Sequence, residues 1–268
     1  MLIPHAGLPY TNAPAMCRLV AYLGSPIYLQ DLVCAPQHSL LRQALRAEEA
    51  KTVTNGDGFG VGWYGEGDEP GVYREVMPAW SDENLHALCA TVRSRLFFAH
   101  VRAATTGGIA RHNCHPFRHG RWMFMHNGQI GGYARVRRQL EARLPDSLYA
   151  ARRGATDSEL LFLLAMARID TGEPPEDAMQ AVLDDTLALM RAQGVDDPLR
   201  FAAALSDGEQ VFAFRFASDE LPPTLYVGQC EQGSIVASEP LDSLPDHWRS
   251  VPANGWVRMS ASGTTLHA

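Results

Sequence analysis

No apolar run in this 268-residue sequence approaches the roughly 18 residues of a membrane-spanning helix. The opening stretch, 1–15, has neither a basic head nor a continuous apolar segment, so it does not read as a secretory signal. Basic charge is not in excess: 23 Lys+Arg stand against 30 Asp+Glu, a formal net charge of -7. That argues against an electrostatic pull towards nucleic acid or an anionic membrane. Cysteine is sparse. The five present (Cys17, Cys34, Cys89, Cys114, Cys230) include no C-x-x-C pair, which favours free thiols in a reducing cytoplasm over a disulfide framework. There is no internal repeat, no low-complexity tract and no clear linker. His112, His115, His119 and His126 with Cys114 fit no usual zinc spacing, and Pro116 interrupts any helix that would align them. The expectation is therefore no metal and no cofactor.

What is present is an ordinary globular composition, 46% hydrophobic and 20% charged, enough to bury a large core. Short stretches rich in β-branched or aromatic residues and bounded by turns predict strands at 17–23, 72–76, 96–101, 122–125, 201–205, 211–216, 224–227, 234–237 and 256–259. Apolar residues at helical spacing predict helices over 37–50, 133–144, 158–171 and 176–193. Strands, then helices, then strands again suggest an α+β fold with antiparallel sheets rather than a repeated βαβ pattern. Residues 17–268 read as one continuous domain. Residues 1–16 read as a leader, a propeptide or a mis-assigned start.

Four segments carry polar groups out of proportion to their surroundings. Met16-Cys17 stands at the head of a strand. Loss of Met16 would leave a thiol and a free amine on one residue, and a neutral α-amine can take the thiol proton. A buried structural cysteine is the alternative. His100-Val101-Arg102-Ala103-Ala104-Thr105 ends a strand, where Arg102 is either a fork for a carboxylate or a solvated surface residue. In Met125-His126-Asn127-Gly128-Gln129, the Asn127 amide and the Gly128 N–H can serve as donors to an oxyanion. Asn-Gly is equally a hairpin signal. Thr156-Asp157-Ser158-Glu159 caps a helix, and Asp157 could also bind an ammonium. The glycine-rich run 55–62 does not join a strand to a helix in a βαβ unit, so it reads as a tight turn entering a strand that backs the site.

In order and spacing these segments resemble the glutaminase domain of class II glutamine amidotransferases, over nearly everything after Met16. The resemblance implies that the mature chain starts with the nucleophile, Cys17. It implies that Arg102 of H-x-R-x-A-T binds the substrate α-carboxylate, with Thr105 and His115 of N-x-H-P lining the same pocket. Asn127 and Gly128 of H-N-G would supply the oxyanion donors, and Asp157 of T-D-S-E would hold the substrate α-amine. The implied fold is an αββα sandwich of two antiparallel sheets between helical layers. The opening M-C-R-L-V-A-Y-L-G-S-P, the turn N-G-D-G-F-G-V-G and P-A-W-S-D at 78–82 look most like the small stand-alone members, such as the γ-glutamyl hydrolase of the ergothioneine pathway. Two departures stand out: sixteen residues precede Cys17, and Thr106 occupies a place where larger members often carry histidine.

The function expected from the resemblance is cleavage of the γ-amide of glutamine or a γ-glutamyl compound through a thioester at Cys17. Two alternatives remain. One is a glutaminase subunit delivering ammonia to a separate synthetase, since the sandwich uses almost all of the chain. The other is a non-catalytic module whose N-terminus stays blocked.

Overall fold

The structure, a computed structural model, describes residues 17–49, 56–103 and 107–268. Strand β1 (Arg18–Tyr28) leads into helices α1 (Gln30–Val33) and α2 (Leu40–Glu49). Strands β2 (Phe59–Trp63) and β3 (Gly71–Glu75), helix α3 (Glu83–Thr91) and strand β4 (Arg93–Val101) follow. Next come β5 (Phe117–His119), β6 (Trp122–Ile130), and the helices α4 (Tyr133–Glu141), α5 (Asp146–Ala151), α6 (Asp157–Ile169) and α7 (Pro175–Ala192). The chain ends in β7 (Leu199–Ser206), β8 (Val211–Ala217), β9 (Tyr226–Cys230), β10 (Gly233–Ala237), β11 (Trp248–Ser250), β12 (Gly255–Ser260) and β13 (Gly263–His267).

Among the described residues the strands form two antiparallel sheets, ordered β11-β9-β10-β1-β4-β2-β3 and β13-β12-β8-β7-β6-β5. Because side chains alternate along a strand, a central strand feeds two different cores. On β1, Leu19, Ala21 and Leu23 join Leu96 and Phe98 of β4 and Met123 and Met125 of β6 in the layer between the sheets. Val20 and Tyr22 face the other way, with Phe97, Ala99 and Val101, and pack under residues of α1, α2 and α3. Phe124 of β6 and Phe201 of β7 point outward onto α4, α6 and α7. The result is the four-layer αββα sandwich, α+β in class.

Helix α6 is buried at every position from Asp157 to Met166, which explains its run of leucines without a polar face. Its start is set by Thr156, whose hydroxyl accepts from Glu159 N, the N-cap arrangement expected of T-x-x-E.

Two local expectations need correction. Strand β1 does not end at 23, as expected, but runs to Tyr28; its pairing with β4 slips between Leu23 and Ile27 and then resumes. Of the glycine run, 56–58 leads into the strand as expected, while 59–62 is already part of β2. Gly60 pairs with both His100 of β4 and Arg74 of β3, and a Cβ there would sit 2.2 Å from the His115 carbonyl. Glycine is needed because the 114–116 segment crosses that face of the sheet. Helices α1, α3 and α5 and strands β5, β11 and β13 were not anticipated.

Candidate active site

Alternation decides which side chains can meet. Cys17 has the parity of Leu19 and Ala21, His100 that of Leu96 and Phe98, and Asn127 that of Met123 and Met125. All three therefore belong to the inter-sheet layer. There the two sheets present Cys17 and Asn127 to each other.

Cys17 immediately precedes β1 and is half-buried. Its Sγ accepts from Ala103 N–H at 3.2 Å and lies 3.3 Å from the Ala103 carbonyl. Burial pushes the thiol pKa up, against the opposing pull of the Ala103 amide and of Arg102 and Arg18. A thiol held protonated in this way needs a proton acceptor in order to attack.

Asn127 is 2% exposed. Its Nδ2 donates to the Cys17 carbonyl at 2.8 Å, and its Oδ1 lies 3.1 Å from His100 Nε2. Gly128 follows at φ +141°, a conformation that favours glycine, and a Cβ there would meet the Arg200 carbonyl at 2.0 Å. The Asn-Gly pair thus lies inside strand β6 rather than forming a hairpin turn.

Arg102 is 3% exposed, not a solvated surface residue. Its guanidinium donates to the Gly107 carbonyl at 2.7 Å and the Gly108 carbonyl at 3.4 Å, so it holds the Gly107-Gly108 segment. Asp157 is fully buried at the first position of α6; its carboxylate accepts from Ile130 N and Ser158 N. It ties the helix start to the end of β6. Thr105 lies outside the described residues.

His115 is buried, with its ring 4.2 Å from that of His100 and 4.6 Å from that of Phe117. Neither ring nitrogen has a hydrogen-bond partner among the described residues. Burial holds His100, His115 and His126 below the usual histidine range, His100 down to about 3. All three are neutral imidazoles at pH 7. Among the described residues no group of three His, Cys, Asp or Glu side chains is placed to hold a metal ion. Cys114, the other thiol of this region, faces the carbonyls of Glu75 and Ala110 and is pushed up by burial.

Several contributors went unread in the sequence. Asn113 donates to the Gly108 carbonyl at 2.8 Å and accepts from Ala155 N at 3.0 Å, joining the Gly107-Gly108 segment held by Arg102 to the segment that enters α6. Glu159 accepts from Arg153 N and Gly154 N and fixes the same segment. Ser158 Oγ lies 2.9 Å from His126 Nδ1, linking H-N-G to T-D-S-E. Each sits within a motif already singled out, so proximity to the motif was the available signal.

Comparison with known proteins is consistent with this geometry. The family model for class-II glutamine amidotransferases matches residues 34–226. A probable glutamine amidotransferase of Saccharomyces cerevisiae is 29% identical over 300 residues, covering 94% of this chain and 84% of that protein. A gamma-glutamyl-hercynylcysteine sulfoxide hydrolase of Mycolicibacterium smegmatis is 31% identical over 242 residues, covering 88% of this chain and 92% of the hydrolase. The solved structure of a glutamine aminotransferase class-II domain protein from Silicibacter pomeroyi superposes with a TM-score of 0.74 at 36% identity, over 94% of this chain and 98% of that one. With the sandwich fold and the family match in agreement, this chain belongs to the class-II glutamine amidotransferases.

Proposed function

We propose that the protein cleaves the γ-amide of glutamine or of a larger γ-glutamyl compound through a thioester on Cys17, in a mature form that begins at Cys17. The observation that carries this reading is the 2.8 Å contact of the Asn127 amide with the Cys17 residue. It supports the reading because it puts a hydrogen-bond donor against the residue expected to attack.

The α-amine of Cys17, with a reference pKa of about 7.7–8.0, takes the proton of the thiol, and the sulfur attacks the amide carbon. The carbonyl oxygen becomes an oxyanion received by Asn127 Nδ2 and Gly128 N–H. The tetrahedral adduct collapses with loss of the amine, which leaves with the proton from the α-amine. Water then attacks the γ-glutamyl thioester, and glutamate departs as the thiol re-forms. Arg102 receives the α-carboxylate and Asp157 the α-ammonium of the γ-glutamyl head, with Thr105 and His115 bordering the same pocket. The burial of Arg102 and Asp157 suits the task, because charge-assisted hydrogen bonds gain strength away from water.

The γ-glutamyl hydrolase reading draws support from the mycobacterial relative, which is matched over 92% of its length. Supply of ammonia to a separate synthetase is the second reading, favoured by the amidotransferase name of the yeast relative. Steady-state glutamate release from L-glutamine beside γ-glutamylcysteine and bulkier γ-glutamyl amides separates the two. Turnover of the bulkier amides at least equal to that of glutamine is expected. Strong preference for glutamine, or turnover only with a partner from the native host, would favour the ammonia donor.

A further inference from the structure

Asn127 holds its carboxamide by both ends. Nδ2 reaches the Cys17 carbonyl at 2.8 Å, and Oδ1 lies 3.1 Å from His100 Nε2 in a buried contact between the two sheets. Turning the amide over would set Oδ1 against the Cys17 carbonyl and Nδ2 against the Nε2–H. Two hydrogen bonds would become two like-on-like contacts in a site with little water to relieve them.

The ring of His100 is suited to this role. Burial depresses its pKa to about 3, so at neutral pH it carries one N–H. An acceptor at Asn127 Oδ1 puts that proton on Nε2, and Nδ1 has no hydrogen-bond partner among the described residues. The ring plane is fixed by the His115 ring at 4.2 Å, itself braced by Phe117. Gly60 lies opposite His100 in the β2–β4 ladder, and its missing side chain lets the 114–116 segment, and so His115, close over the same face.

We infer that His100 is a positioning residue: its Nε2–H fixes the orientation of the Asn127 carboxamide so that Nδ2 stays aimed at the oxyanion of the γ-glutamyl reaction. This rests on the oxyanion role proposed above for Asn127. His100 then contributes to kcat through Asn127 and leaves recognition of the γ-glutamyl head to Arg102 and Asp157.

The test is a double-mutant cycle read by kcat and KM on L-glutamine and γ-glutamylcysteine. His100→Leu keeps bulk and removes the donor; it should lower kcat towards the limit of a lost oxyanion donor, about 10²–10³-fold, with KM little changed. His100→Gln, whose amide can reach the place of Nε2, should restore most of the rate. His100→Asn, whose amide reaches only the place of Nδ1, should not, and this contrast serves if the leucine variant does not fold. In an Asn127→Ala background, His100→Leu should cost little more, because the group it orients is gone. Parental kcat in His100→Leu beside an impaired Asn127→Ala overturns the positioning role alone. So do equal losses in the Gln and Asn variants, or losses that multiply in the double variant. An Asn127→Ala enzyme as active as the parent removes the oxyanion role itself and the inference with it.

Discussion

The amide of Asn127, on one sheet, donates to the carbonyl of Cys17, the residue that leads into β1 of the other, across 2.8 Å. The residue expected to stabilise the oxyanion is therefore registered directly on the residue expected to attack, and the packing of the two sheets sets their separation. Interiors packed to near-crystalline density move little, so a site built across the sandwich is held ready before substrate arrives.

If Cys17 is the nucleophile, Cys17→Ala will abolish glutamate release and leave the fold in place, since it removes one sulfur and its contacts to Ala103. Circular dichroism and a turnover assay on the same sample check both halves. Retained turnover would point to another thiol, with Cys114 the first to examine.

Arg102→Lys and Asp157→Asn should each lower kcat/KM for a γ-glutamyl amide by about 10- to 150-fold, the factor matching ~1.5–3 kcal/mol for a hydrogen bond to a charged group. Lysine keeps the charge but loses the fork that also holds the Gly107 carbonyl. Asparagine keeps the shape but loses the countercharge for the substrate ammonium. The diagnostic comparison is with the same amide lacking its α-carboxylate or α-amine. Equal losses on intact and truncated substrates would make both residues structural.

Gly128→Ala should destabilise the protein as well as the site. The residue sits at φ +141° with the Arg200 carbonyl 2.0 Å from any added Cβ. Strained backbone of this kind costs of order 1–3 kcal/mol, and each kcal/mol corresponds to roughly 2–4 °C of Tm in a protein of this size. A melting curve coincident with the parent's would show that β6 can shift to admit the methyl group.

Acidification should destabilise the fold early. Burial lowers the pKa of His100, His115 and His126 on folding. Below about pH 6.5, the unperturbed value, the unfolded chain therefore binds protons that the folded chain refuses. Stability falls as pH falls, by up to ~1.4 kcal/mol per pH unit for each such histidine, and for His100 the loss continues down to about pH 3. Urea midpoints measured between pH 8 and pH 5 should drop below 6.5. A flat profile to pH 5 would mean that these rings are hydrated.

Much of this arrangement was readable from the sequence. Short apolar runs bounded by turn residues at 17–23, 96–101 and 122–125 anticipated the strands, and the family resemblance carried by H-x-R, H-N-G and T-D-S-E implied the layered fold. T-D-S-E did begin a helix, with Thr156 as its cap. What could not be read is which residue of one sheet faces which residue of the other. Nothing local says that His100 lies within hydrogen-bonding reach of Asn127, 27 residues further on. The reason for glycine within β2 was hidden in the same way: it makes room for the crossing 114–116 segment, distant in the chain. Helix α3 was missed although Asp82 caps it by accepting from Leu85 N, because its apolar stripe is short and S-D-E-N resembles a turn.

The most direct measurement of the central claim is peptide mapping by mass spectrometry of enzyme quenched in acid during turnover of a γ-glutamyl amide. A γ-glutamyl group should be found on the sulfur of Cys17, in a peptide whose first residue is Cys17 with a free α-amine. Full turnover by a chain in which Met16 still precedes Cys17, or a γ-glutamyl adduct on Cys114 with Cys17 unmodified, would contradict it.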